Sequence, residues 1–393
     1  MTRQSAPKIR LVDVIPPPRA GGSRPAATAP SGRRHRRRPA LAAILASALV
    51  AGAAGLSMTG AVAQADPRPS AADGVQPRGD RGRAMIDRPG PADRTFLNDT
   101  VVRLETKAVA DAESSRSLGQ RRSGTGVLID NSTVLTIGYL LLEADEVEMV
   151  TPSGKHIPGS VAGYDPVSGF GLVRSAVPLD GRPLEFGDSD AIGEKERVLT
   201  LGHGEPEATE LLVVSRKEFT GSWEYQIDSG IFTFPPVNNW SGAALVDRGG
   251  KLVGIGSLIV NDAATVQRGV PGNLYVPVNL LKPILADLLA TGRRSGPAQP
   301  WLGISTEVVQ GNLMVSRVTR GGPAERAGLA AGDIIVAVDG EKVGSQSDFY
   351  RIIWKKGPAG VTVPLRVLKS GDVREVAVQT RDRMDSLRKP SGI

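Results

Sequence analysis

The sequence contains no cysteine and only three histidines in 393 residues. Without cysteine the chain has no disulfide framework, no thiolate metal site and no cysteine nucleophile, so its stability must come from burial. The histidines, His35, His156 and His203, are the only candidates for an imidazole base. The sequence also lacks a phosphate-cradling glycine loop, an acidic metal-binding cluster and a paired-carboxylate motif, so it predicts neither a metal nor a cofactor.

The positive charge of the chain is concentrated in its N-terminal arm. The formal net charge of +7 suggests by itself a nucleic-acid binder. Residues 1–65, however, hold ten of the 48 Lys and Arg residues and one of the 41 acidic residues, which leaves 38 basic against 40 acidic residues in the remainder. Charge therefore gives no reason to expect a nucleic-acid partner for the folded part.

A basic cluster at residues 33–38 precedes an uncharged apolar run from Leu41 to about Val62. The run ends in small residues, and this order of charged, apolar and small residues is typical of a secretory signal. At about 20 residues, the run is also long enough to span a bilayer as an uncleaved anchor with its arginines inside. Residues 1–65 are therefore predicted to be a signal peptide or an N-terminal membrane anchor, and both place the folded part outside the cytoplasm.

Residues 66–94 are rich in proline, glycine, arginine and aspartate and have almost no large apolar side chains. Such a segment cannot bury enough apolar surface to offset the entropy lost on ordering. It is predicted to be a disordered linker.

Between residues 95 and 292, short runs rich in Val, Ile, Leu and Thr recur between turn signals. They predict an antiparallel all-β domain, and their spacing leaves a sandwich and a barrel equally open. Residues 278–289 have an apolar helical face and are predicted to form a helix that ends near Gly292. The runs lie at residues 100–104, 126–129, 134–136, 146–150, 197–201, 211–214 and 252–256.

A polar linker at residues 293–300 precedes a second module at 301–383, and residues 384–393 form a tail. The second module resembles a PDZ domain in its Trp-Leu-Gly-Ile sequence at 301–304 and in the glycine-rich motif at 322–340. A capping box at residues 345–348 predicts a helix to about Lys356. Closing strands are predicted at residues 361–367 and 375–378.

A PDZ domain adds a peptide as an extra strand, and backbone N–H groups of one loop capture the peptide's terminal carboxylate. The resemblance assigns this role to Trp301, Leu302, Gly303 and Ile304. The alternative is that Trp301 and Leu302 are only the buried start of a strand. The implied partners are peptides or unfolded proteins with free C-termini.

The first domain carries, in order, eight short motifs that together resemble the HtrA (DegP-like) family of periplasmic serine proteases. The resemblance covers residues 95–383 and implies a mainly β fold, with a trypsin-like double antiparallel β-barrel at 95–292 followed by an α+β PDZ domain. Relatives in this family commonly trimerise, so a homo-trimer or an assembly with active HtrA relatives is a possible partner state. The motifs lie at residues 123–129, 134–136, 163–166, 186–190, 199–202, 226–228, 238–246 and 275–278.

A serine nucleophile needs a hydrogen-bonded base, an acid that orients the base, and N–H donors for the oxyanion. The resemblance places the nucleophile at Ser241, the histidine at Tyr139 and the aspartate at Gly169. A phenol, with an ordinary pKa near 10, is largely protonated at neutral pH and is a poor substitute for imidazole. Asn239 stands where the family has the oxyanion glycine, and Asp165 matches a noncatalytic loop aspartate.

The sequence thus favours an envelope-located pseudoprotease that binds peptides or unfolded proteins as an adaptor or regulator, with Ser241 as a remnant nucleophile. The alternative is an active serine endopeptidase of envelope protein quality control that uses Ser241 in an atypical constellation.

Overall fold

The computed structural model describes residues 97–205 and 207–389. The predicted leader at 1–65 and linker at 66–94 therefore lie outside the described residues. Within the described ranges, no helix is long and apolar enough to cross a membrane.

The first six strands form a closed antiparallel barrel in the order β1-β2-β3-β6-β5-β4, with β1 also pairing with β4. A short helix, α1 (Ser115–Leu118), lies between β1 and β2. Inward-facing Val, Leu and Ile side chains fill the barrel, as Leu104, Leu135 and Leu172 do at 0% exposure. The strands are β1 Val101–Ala108, β2 Arg121–Leu128, β3 Thr133–Ile137, β4 Ala144–Val150, β5 His156–Tyr164 and β6 Phe170–Ser175.

The next six strands close a second barrel in the order β10-β11-β12-β9-β8-β7, which repeats the pairing pattern of the first. Buried side chains from both barrels belong to one continuous hydrophobic cluster. The open choice between sandwich and barrel is thereby decided, and the predicted double barrel is confirmed. The strands are β7 Arg197–Leu201, β8 Thr209–Gly221, β9 Tyr225–Phe234, β10 Ala244–Val246, β11 Leu252–Val260 and β12 Gly272–Pro277.

The single helix predicted at 278–289 is wrong in its extent. Val278–Leu280 forms a 3-10 turn, and the α-helix α2 covers only Leu285–Thr291. Pro283 lies between the two, and proline has no N–H for a helical hydrogen bond and clashes with the preceding turn. The predicted end near Gly292 is correct, because Gly292 caps α2 in the left-handed conformation at φ 76°.

The second module is a separate sheet in the order β13-β14-β15-β17-β18, with β16 paired to β15 and a hydrophobic core of its own. As predicted, Ser345 caps α4 by accepting a hydrogen bond from Asp348 N at 3.1 Å. The elements are β13 Ile304–Val309, β14 Asn312–Val318, α3 Pro323–Arg326, β15 Ile334–Val338, β16 Glu341–Lys342, α4 Gln346–Lys355, β17 Thr362–Lys369 and β18 Asp372–Gln379.

The predicted linker and tail are both attached to the first barrel. In the linker, Arg294 forms a bidentate ion pair with Asp165, with both N–O distances at 2.8 Å. In the tail, the N–H of Arg388 donates to the Glu143 carboxylate at 3.1 Å.

Candidate catalytic site and peptide groove

Ser241 lies in the loop before β10, where the second barrel contacts β2 of the first. Its carbonyl accepts a hydrogen bond from Thr125 N at 2.7 Å, and its side chain is 7% exposed overall. A Cβ at Gly124 would stand 2.9 Å from both the carbonyl oxygen and Oγ of Ser241. The glycine at 124 is therefore explained by the close approach of strand and loop.

Packing alone explains why Gly242 follows the serine. Gly242 has φ +75°, and a Cβ there would lie 2.0 Å from the carbonyl oxygen of Thr125. No other residue fits, whatever the chemistry of Ser241. Gly242 is consequently a requirement of the fold, and its place after Ser241 carries no information about catalysis.

Tyr139 is brought directly to Ser241. It sits in a 3-10 turn, Gly138–Leu140, immediately after β3, and its hydroxyl is 2.8 Å from Ser241 Oγ and 2.9 Å from the carbonyl oxygen of Ser257. Burial of the hydroxyl raises the Tyr139 pKa above its ordinary value, despite opposing hydrogen bonds. Ser241 thus contacts a neutral phenol, which cannot accept its proton at neutral pH.

Gly169 lies next to the turn that carries Tyr139, since its carbonyl accepts a hydrogen bond from Gly138 N at 2.7 Å. It has φ +81°, and a Cβ there would stand 3.1 Å from the hydroxyl of Tyr225. Tyr225 is 5% exposed and donates to the carbonyl of Ser168 at 2.8 Å. A buried phenol thus occupies the space beside position 169.

Asp165, the nearest acid along that loop, is fully engaged elsewhere. Its side chain accepts hydrogen bonds from the N–H of Ser168 at 2.8 Å and from its Oγ at 2.5 Å, in addition to the ion pair with Arg294. Its carbonyl accepts from Gly169 N at 2.8 Å. These contacts hold the loop at 165–169 in place, as suits a noncatalytic loop aspartate.

Neither described histidine is hydrogen-bonded to Ser241. His203 Nδ1 is 3.0 Å from Thr125 Oγ1, and the backbone N–H of His203 donates to the same oxygen at 2.9 Å. Burial, with the nearby Arg103 charge, lowers the His203 pKa, so its imidazole is neutral at pH 7. His156 is more than half exposed at the start of β5 and pairs with Glu148 at 3.0 Å.

Asn239, at the position of the family's oxyanion glycine, has no positive φ and so lacks the left-handed backbone that glycine adopts readily. Its side-chain amide donates to Glu205 Oε1 at 2.7 Å. Asn239 is thus held by a surface contact.

The loop at 301–304 does present converging N–H groups. The backbone N–H groups of Leu302, Gly303 and Ile304 donate at 2.8, 2.7 and 3.0 Å to a single carboxylate, that of Glu224. Trp301 differs from the prediction, because its N–H and carbonyl both pair with Arg381 in an isolated β-bridge. Its indole instead packs beneath Gly303, where a Cβ would lie 3.1 Å from the ring.

Comparison with known proteins agrees with the two-domain fold. A model of the trypsin-like peptidase domain matches residues 124–255, and a model of the PDZ domain matches residues 300–380. The probable periplasmic serine protease do/HhoA-like of Haemophilus influenzae is 28% identical over 323 residues, covering 76% of this chain and 67% of that protein. The putative serine protease HhoA of Synechocystis is 29% identical over 349 residues, covering 76% and 83%. The chain belongs to the HtrA/DegP-like family.

Coverage differs among the HtrA relatives. The serine protease Do-like HtrA of Bacillus subtilis is 23% identical over 282 residues, and the alignment covers 63% of this chain and 61% of that protein. This chain therefore spans about three fifths of the Bacillus protein.

Sequence reasoning on this HtrA-type chain missed Glu224, Tyr225 and Arg294. Each lies far along the chain from the residues it contacts, in a segment without a recognisable motif. The sequence offered one signal, a run of aromatic residues at 219–225 in a turn region where exposed polar residues are usual. Phe219, Trp223 and Tyr225 form a ring cluster there, with Trp223 and Tyr225 stacked at 5.8 Å.

Proposed function

We propose that this chain is an HtrA-type pseudoprotease that binds peptides or unfolded proteins through its PDZ domain as an adaptor or regulator. The observation that carries the proposal is the contact between Ser241 Oγ and the hydroxyl of Tyr139 at 2.8 Å. Serine needs a base to become a nucleophile, and a buried, protonated phenol does not act as one. The crowding beside Gly169 adds support, since the Cβ of an orienting acid there would lie 3.1 Å from the buried Tyr225 hydroxyl, on a left-handed backbone.

We propose an extracytoplasmic location, outside the inner membrane or in the periplasm, for the folded part. Two observations support it: the order of charged, apolar and small residues in the first 65 positions, and the word periplasmic in the names of relatives from Haemophilus influenzae and Halomonas elongata. Assembly as a homo-trimer or with active HtrA relatives belongs to the same proposal.

The purified full-length chain, incubated with a fluorophosphonate probe and with unfolded casein, tests the proposal. We expect neither labelling nor cleavage above the level of Ser241→Ala. An active HtrA-type protease treated in parallel shows that both assays work. Labelling and cleavage that disappear in Ser241→Ala would instead establish the alternative, an active endopeptidase with an atypical constellation.

A further inference from the structure

The turn between β8 and β9 lies in the groove between β13 and α4 of the PDZ domain. Its Glu224 carboxylate accepts the three N–H groups of the 302–304 loop. Backbone N–H groups of this loop are the donors that capture a peptide's terminal carboxylate. Glu224 is only 7% exposed, so its carboxylate is withdrawn from water at that position.

The same turn also imitates strand addition. Thr306 N, on β13, donates to the carbonyl of Ser222 at 2.9 Å, which is the kind of main-chain bond that a bound peptide makes with a sheet edge. On the opposite wall, the Tyr350 hydroxyl of α4 donates to the carbonyl of Gly221 and accepts from Glu224 N, both at 3.0 Å. Both walls of the groove are therefore bonded to the backbone of residues 221–224.

The backbone of the turn is strained in this arrangement. Glu224 has φ +57°, a left-handed conformation that is unfavourable for a non-glycine residue. A turn at this position with no contact outside its own hairpin would be served better by glycine. The carboxylate of Glu224 thus compensates for the strain through its three hydrogen bonds to the loop.

We propose that residues 221–224 are an internal ligand of the PDZ groove, with the Glu224 side chain in the place of a peptide's terminal carboxylate. An external peptide binds only after it displaces this turn. The inference rests on the proposed function, because it takes the groove to be a peptide site. It adds that the site's ligand must carry a free carboxylate and must compete with a segment of the trypsin-like domain.

The test measures binding of fluorescein-labelled peptides of random sequence with a free C-terminal carboxylate to the full-length chain. Since apparent affinity scales with the open fraction of a site, Glu224→Ala should bind the pool at least about tenfold more tightly than the unaltered chain. The same pool with C-terminal amides should bind neither. Glu210→Ala is the matched control, because Glu210 lies on β8, which leads into the turn, is exposed and pairs with Arg197 outside the groove.

A second measurement does not depend on altering the groove. The Glu218 carboxylate on β8 and the Arg351 guanidinium on α4 lie 3.8 Å apart at the edge of the contact between the turn and the PDZ groove, and both side chains are partly exposed. Because the chain has no cysteine, Glu218→Cys/Arg351→Cys provides two unique thiols that a short bismaleimide can join. The crosslinked protein should lose peptide binding, whereas the same variant without crosslinker should keep it.

The outcomes separate the two proposals. Equal affinity of the unaltered chain and Glu224→Ala, or undiminished binding after crosslinking, overturns the internal ligand and leaves the peptide groove standing. Failure of every variant to bind, with thermal unfolding unchanged, overturns the peptide groove and the proposed function with it. Glu224→Asp, whose shorter side chain withdraws the carboxylate from the three N–H groups, serves if Glu224→Ala does not fold, with tighter binding expected in the same direction.

Discussion

Gly169→Ala tests whether the space for a catalytic acid has been closed. The new Cβ would enter a left-handed backbone at φ +81° and approach the hydroxyl of Tyr225 to 3.1 Å. The backbone conformation costs about 1–2 kcal/mol for a non-glycine residue, and overpacking against a neighbour that cannot move adds about 1–3 kcal/mol. Tyr225 has little freedom to move, because it is buried and stacked on Trp223. The expected loss is therefore roughly 2–5 kcal/mol in the free energy of unfolding.

Gly154→Ala is the matched control, since Gly154 has φ +82° in the same barrel and no atom within 4 Å of the added Cβ. It carries the backbone cost alone, so the difference between the two variants isolates the contact with Tyr225. At about 2–4 °C per kcal/mol for a domain of this size, Gly169→Ala should melt roughly 2–12 °C below Gly154→Ala in calorimetry. Equal melting temperatures would refute the reasoning. If the reasoning holds, Tyr139→His/Gly169→Asp is likewise destabilised and shows only background fluorophosphonate labelling.

Three further predictions concern contacts at Gly242, Arg294 and Glu224. Gly242→Ala should lower the free energy of unfolding by roughly 3–5 kcal/mol in denaturant titration, because its Cβ would stand 2.0 Å from the carbonyl oxygen of Thr125. Gly204→Ala is the control: at φ +76° in open space, it should lower the free energy of unfolding by only about 1 kcal/mol. Arg294→Met leaves the buried Asp165 carboxylate without its cation and should lower the free energy of unfolding by roughly 2–3 kcal/mol. Arg366→Met, in the exposed pair with Glu375, should lower it by less than about 1 kcal/mol. Equal effects of the two variants would contradict this prediction. Burial raises the pKa of Glu224 from 4.5 to about 7, although its hydrogen bonds and the Arg383 charge act in the opposite direction. The Glu224 carboxylate therefore binds a proton more tightly in the docked turn than in a released, solvated turn. Docking of the 221–224 turn in the PDZ groove is therefore strongest below the ordinary pKa of Glu224 and weakens as pH rises through about 7. Hydrogen-exchange protection of the 302–304 amides, corrected for intrinsic exchange, should fall from about pH 5 to about pH 8. Glu224→Gln should show no such trend.

Much of the architecture was predictable because local sequence carries it. Short apolar runs bounded by turns predicted nine of the eighteen strands in the described residues, and at Arg197–Leu201 prediction and structure coincide. The Ser345 cap was predictable for the same reason, because a capping interaction spans three residues. The helix at 278–289 was mispredicted because its apolar periodicity was weighted above the break at Pro283.

Within the candidate site, the placement of Tyr139 beside Ser241 could be anticipated from motif order, although 102 positions separate the two residues. The contacts that fill the remaining space could not. Tyr225 beside Gly169 and Arg294 on Asp165 depend on how separate loops pack in three dimensions, and no local pattern encodes such a contact.

The sequence by itself determined that the chain cannot use cysteine chemistry, and the family resemblance implied the double barrel, the PDZ domain and a phenol in the place of an imidazole. It also identified Leu302, Gly303 and Ile304 as donors to a carboxylate. Only the tertiary structure decided which carboxylate they hold. Glu224 is 78 to 80 positions away from them, and it reaches the loop because the β8–β9 hairpin and the PDZ domain fold against each other. A backbone N–H carries no mark of its partner in the sequence, since every residue except proline has one.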